Sequence, residues 1–114
     1  MSMRVYNMVS PRTGEKVANQ FVIEADGIRT FQSYDSTIAV IDYNGHTIKI
    51  GKDWNYSVTT GKYRNTFFRD EKFNDMADTK GMNKVMAQVK KNGFALVQNG
   101  WFDDELFKVT MLEE

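Results

Sequence analysis

The stretch Phe21-Val-Ile-Glu-Ala25, Asp26-Gly27, Ile28-Arg-Thr-Phe-Gln-Ser-Tyr34 reads as two strands joined by a two-residue turn. β-Branched and aromatic residues fill both arms, and Asp-Gly favours a type I′ turn, whose twist matches that of paired strands. Such a turn fixes the register: Ala25 opposes Ile28, Glu24 opposes Arg29 and Val22 opposes Phe31. Glu24 and Arg29 then form a cross-strand ion pair, while Phe21, Ile23, Ala25 and Ile28 share one face.

The same logic repeats downstream. Thr37-Ile-Ala-Val-Ile-Asp-Tyr43 and His46-Thr-Ile-Lys-Ile50 flank Asn44-Gly45, a strong hairpin signal. Ala39, Ile41, Ile48 and Ile50 fall on one side, with Asp42 opposite Thr47 on the other. Arg4 to Val9 reads as a short strand that ends at the turn Ser10-Pro-Arg-Thr-Gly14, where the glycine can take a positive φ. Phe94 to Val97 and Leu106 to Met111 read as closing strands around Gln98-Asn-Gly100. Trp101 to Glu105 fits strand, turn or short helix.

Between these strands the period changes. Ser57-Val-Thr-Thr-Gly61 offers hydroxyl residues where a helix N-cap belongs, and Thr60, Tyr63 and Phe67 then fall on one helical face. Lys62, Asn65, Thr66 and Arg69 line another face. From Thr79 to Asn92, Met82, Val85, Met86 and Val89 form an amphipathic stripe, and Gly93 suits the residue just past a helix end. The spacing predicts an α+β fold: an antiparallel sheet of about five strands built from consecutive hairpins, with helices near 58–69 and 79–92 packed on one face. A chain of 114 residues has room for one core, so 1–114 is read as a single domain.

Composition narrows the function classes. Formal net charge is zero, so no global field draws in nucleic acid or an acidic membrane. The acids gather at the C-terminal end, where Asp103 to Glu114 carries five acids against Lys108. Cysteine is absent, which removes disulfides, thiolate metal sites and cysteine nucleophiles together and favours the cytoplasm. No window approaches the ~18 consecutive apolar residues of a membrane span.

Catalytic chemistry finds little support. His46 is the one histidine, and it sits where a hairpin begins its return strand. Asp70-Glu71 and Asp103-Asp104-Glu105 are the acid clusters, and neither has a spacing that converges on one point. Thr59-Thr60-Gly61-Lys62 sets hydroxyls, glycine and lysine at a helix start, a generic anion site that lacks the phosphate-loop pattern. No catalytic residue, metal or cofactor is therefore expected.

Lys49 to Lys72 is the most suggestive stretch for binding. Six bases (Lys49, Lys52, Lys62, Arg64, Arg69, Lys72) face three acids, interleaved with Trp54, Tyr56, Tyr63, Phe67 and Phe68. Cations beside exposed rings can pair phosphates and stack bases. The contacts expected from this stretch are Trp54, Tyr56, Lys62, Arg64 and Arg69.

Asn19-Gln20-Phe21, Phe31-Gln-Ser-Tyr34, Ile38-Ala39, Trp54, Tyr56-Ser57, Thr59-Thr60, Lys62-Tyr63-Arg64 and Phe67 follow one another in a characteristic order. In this pattern, preceded by Pro11-Arg-Thr-Gly14, the chain resembles a family of small uncharacterised proteins from phages and mobile elements of Gram-positive bacteria. The resemblance spans roughly residues 9–68 and implies no assigned activity. It implies a phage or prophage origin in a bacterial cell, and an accessory role such as countering host defence. The chain departs from the family after Phe68, where it adds a Met-rich helix and more strand.

The resulting expectation is a non-enzymatic binding module, a phage-type accessory protein acting on a host or phage protein. A single-stranded nucleic-acid binder using 49–72 is the first alternative. A small nucleotide- or nucleic-acid-processing enzyme using Asp103 and Asp104 is the second. A homodimer formed through an edge strand or the Met-rich helix is also open.

Overall fold

The first hairpin pairs as its turn dictates. In a computed structural model that describes residues 2–113, β1 spans Met3–Val9, β2 Lys16–Ala25 and β3 Ile28–Ser33. Ala25 opposes Ile28, Glu24 opposes Arg29 and Val22 opposes Phe31. Asp26 and Gly27 both have positive φ, at 53° and 81°, as a type I′ turn requires. Glu24 and Arg29 form the expected ion pair at 2.7 Å. Phe21, Ile23, Ala25 and Ile28 do share a face, but the core takes Val22 and Phe31 from the opposite one.

The second hairpin joins β4 (Ser36–Asp42) to β5 (Thr47–Ile50), with Asp42 opposite Thr47. Its connection corrects the sequence reading. Four residues rather than two form the loop, and the left-handed residue is His46 (φ 52°). The cause lies in Asp42, whose carboxylate accepts hydrogen bonds from the backbone N–H groups of Asn44 and Gly45. The side chain thereby closes the turn that Asn-Gly closes elsewhere with backbone geometry.

Helix α1 (Val58–Asp70) follows, then a short 3₁₀ turn at Asn74–Met76 and helix α2 (Thr79–Asn92). Ser57 and Asp78 cap the two N-termini through their side chains, and Gly93 ends α2 at φ 87°. The stripe Met82, Val85, Met86 and Val89 is buried. Strands β6 (Ala95–Asn99) and β7 (Phe102–Met111) complete a sheet of seven strands, in the order β1-β2-β3-β4-β5-β7-β6.

Strand number and direction are the second correction. The sheet is mixed, because β7 lies parallel to β5 while all other neighbours are antiparallel. A parallel pair needs a long crossover, and the helical segment after β5 supplies it. The β6–β7 hairpin then sends β7 back in the direction of β5. The core forms between helices and sheet: Phe31 stacks on Phe67 of α1 at 5.7 Å, and Phe107 of β7 meets Phe73 at 5.0 Å.

Candidate functional site

The β4 and β5 strands carry the chain to Gly51, whose N–H bonds the Ile38 carbonyl at 2.8 Å. Two successive turns follow, closed by Trp54 N–H on the Gly51 carbonyl and Tyr56 N–H on the Asp53 carbonyl. Asp53 is held by the Ser36 hydroxyl at 2.8 Å. These turns deliver Ser57 to the start of α1, where its Oγ accepts from Thr60 N–H at 3.1 Å. A chain of hydroxyls continues inward, from Ser57 to Thr60 and from Thr60 to Ser33 at 3.0 Å.

Two grooves meet at this helix start, and Ser57 lines both. The first, about 640 Å³, lies between the β3–β4 turn and α1 and is lined by Ser33, Tyr34, Ser36, Tyr56, Thr59 and Thr60, with Asp35 and Asp53. Tyr56 is 76% exposed. Tyr34 has φ 54°, a left-handed conformation uncommon for a bulky side chain. It is fixed there by its N–H on the Asn19 carbonyl at 2.7 Å and by the Gln32 side chain on its own carbonyl. Backbone strain of this kind persists only where the surroundings over-determine it, and it gathers at binding sites.

The second groove, about 670 Å³, runs along the outer side of α1 past Lys62, Arg64 and Arg69, and no acid lines it. Arg64 is fully buried. It donates to the Trp54 carbonyl at 2.7 Å and to Asn65 Oδ1 at 2.9 Å, and its guanidinium stands 5.4 Å from the centre of the Trp54 ring. Burial pushes its pKa below the ordinary arginine value.

The five residues singled out by the sequence are thus divided. Lys62, Arg64 and Arg69 belong to the second groove and Tyr56 to the first. Trp54 is half-buried between them and packs against the core. Arg64 lies beneath the surface and presents no solvent-facing charge. Tyr63, Phe67 and Phe68 are core, so the aromatic interleaving of 49–72 is largely internal. Tyr34, Ser33, Ser36 and Asp53 were not among the expected contacts. They belong to a turn and a loop with no periodicity to mark them, although Ser33 and Tyr34 are part of the pattern behind the family resemblance.

The other candidates stay apart. His46 Nε2, in the β4–β5 loop, lies 2.9 Å from Glu105 of β7, with its ring packed on Phe107. The side chains of Asp103 and Asp104 lie outside the described residues. Among the described residues no group of three or more His, Cys, Asp or Glu could hold a metal ion. Among the described residues no helix is long and apolar enough to cross a membrane. Gln20 is buried with both amide atoms unpaired.

No curated protein and no solved structure shows significant similarity to the chain. Residues 3–84 match the family described as "Family of unknown function (DUF8033)", which extends past both ends of the pattern seen in the sequence and reaches into α2, and the chain belongs to that family.

Proposed function

We propose that this protein is a non-enzymatic binding module that holds a protein partner in the hydroxyl-lined groove between Tyr34 and the start of α1. One observation carries the reading. Ser33, Tyr34, Ile38, Tyr56, Ser57, Thr59 and Thr60, separate pieces of the pattern that supports the resemblance, all line that single groove. Tyrosines supply broad, stiff contact area, and serine and threonine hydroxyls adapt to a partner's hydrogen bonds, the chemistry typical of protein-recognition surfaces. Asp35 and Asp53 would repel a phosphate backbone from this groove, which supports a protein over a nucleic acid.

The resemblance to phage proteins and the lack of cysteine support a phage- or prophage-encoded accessory protein of the bacterial cytoplasm. The test is affinity capture from a host lysate with the parent chain and with a Tyr34→Ala/Tyr56→Ala variant. The expected result is a stoichiometric protein retained by the parent and lost from the variant. An identical set of captured proteins for both, or salt-sensitive oligonucleotide binding that the variant keeps, would sink the reading.

A further inference from the structure

The groove on the outer side of α1 contains a charge without a counter-ion. Both hydrogen bonds of the buried Arg64 go to neutral oxygens, the Trp54 carbonyl and Asn65 Oδ1. Its Nε is buried with no partner. No described carboxylate lies within ion-pair distance of it. A buried cation in this condition is costly unless an anion approaches it.

Everything around it favours such an approach. Lys62 and Arg69 are exposed on the same groove, and no acid lines it. The first turn of α1 has no acidic residue, so nothing in the helix offsets the positive end of its dipole. Gly61 lies over the guanidinium: the nearest atoms that a Cβ there would meet are Arg64 Nη1, Nη2 and Cζ, at 3.7 to 3.9 Å. Glycine inside a helix lowers stability relative to alanine. Here it leaves the guanidinium a single bare backbone position away from the groove.

We propose that this groove binds a phosphate-class dianion between Lys62, Arg69 and the buried Arg64, with Gly61 as the opening. The site shares only Ser57 with the hydroxyl-lined groove, and its failure would leave the proposed protein-binding role standing.

Heteronuclear NMR of the full chain tests it, because an arginine Nε–H gives its own signal. Inorganic phosphate should produce saturable shifts at the Gly61 and Lys62 amides and at Arg64 Nε–H, which sodium chloride at equal ionic strength does not. Lys62→Ala/Arg69→Ala, with both changes on exposed side chains, should weaken the affinity about tenfold or more. Gly61→Glu supplies a carboxylate to Arg64 from within the chain. It should raise the melting temperature in phosphate-free buffer and abolish the phosphate shifts. A nucleoside 5′-monophosphate, run in parallel, separates a site for free phosphate (equal affinity) from one that also reads the attached group (tighter binding). Non-saturating shifts, shifts matched by chloride, or phosphate binding retained in both variants would overturn the proposal.

Discussion

Arg64 Nη1 donates to the Trp54 carbonyl at 2.7 Å, so a buried side chain of α1 holds the loop that delivers the chain to that helix. The loop has few other anchors, chiefly Gly51 N–H on Ile38 and Ser36 on Asp53. Arg64→Ala removes this bond and a fully buried aliphatic stem together, and is expected to cost about 3 kcal/mol. Arg64→Lys should recover only part of this, since lysine cannot reach two acceptors with a planar fork. Urea denaturation midpoints check both. A change below about 0.5 kcal/mol for Arg64→Ala would show that the loop is held by other contacts.

A buried acid makes stability fall as pH rises. Glu71 is 5% exposed, bonded to the Tyr43 hydroxyl at 2.7 Å and paired with Arg29 at 3.3 Å. Burial raises the Glu71 pKa above its ordinary 4.5, opposed by the Tyr43 hydrogen bond and Arg29. Burial, then the bond to Glu71, raise Tyr43 above 10.0. In each case the folded state keeps its proton to higher pH than the unfolded state does. Stability contributed by these groups is therefore lost with rising pH, first from about pH 4.5 upward and again above about pH 10. Tyr43→Phe should flatten the alkaline loss, and it should widen the acid window because Glu71 loses a bond that favours its charge. Denaturation midpoints followed across pH for parent and variant test this. An unchanged alkaline slope in the variant would move that effect to Tyr6, which burial also raises.

The first hairpin, both helices, the hydroxyl residues at the start of α1 and the glycine that ends α2 were legible because each rests on local chemistry: a left-handed Asp26-Gly27 turn, a Ser57 N-cap, and a four-residue apolar stripe on α2 closed by Gly93. The parallel pairing of β7 with β5 was not legible, because it depends on where a distant hairpin docks and no local pattern encodes that. The burial of Arg64 was not legible for a related reason. An arginine between Tyr63 and Asn65 on a polar-looking helix reads as solvated, and only the Trp54 carbonyl and ring arriving from another loop draw it inside. The hydroxyl-lined groove likewise joins Tyr34 to Tyr56 across a gap that sequence spacing does not bridge. Which side of the first hairpin faces the helices was also invisible, since both of its faces carry apolar residues.

Gly51 is expected to tolerate no side chain. A Cβ there would collide with the Thr37 carbonyl oxygen in β4, and that strand cannot yield without disturbing the buried Ile38 and Ala39. Gly51→Ala should cost about 3 kcal/mol and loosen the loop that forms one wall of the hydroxyl-lined groove. The Tyr56 and Ser57 amides should then exchange with solvent faster than those of α2. Equal stability would mean that β4 and β5 close differently at this end.

Residues beyond the family match share the core with those inside it. Phe107 of β7 is fully buried against Phe73 at 5.0 Å and Tyr43 at 5.6 Å, with the His46 ring at 4.8 Å. Its partner strand β5 belongs to the second hairpin, and β7 pairs Val109 with Ile48 and Met111 with Ile50. Phe107→Ala should therefore destabilise by about 3–5 kcal/mol, and the whole chain should still unfold in one transition. Fluorescence of Trp54, read in a Trp101→Phe background, and near-ultraviolet circular dichroism should report the same midpoint. If residues 3–84 formed a unit of their own, the variant would instead show an early loss of the β6–β7 hairpin, with the Trp54 signal melting at the parent temperature. Coincident and equally shifted transitions are the expected result, because a cavity at Phe107 removes contacts from Phe73 and Tyr43 as well as from its own strand.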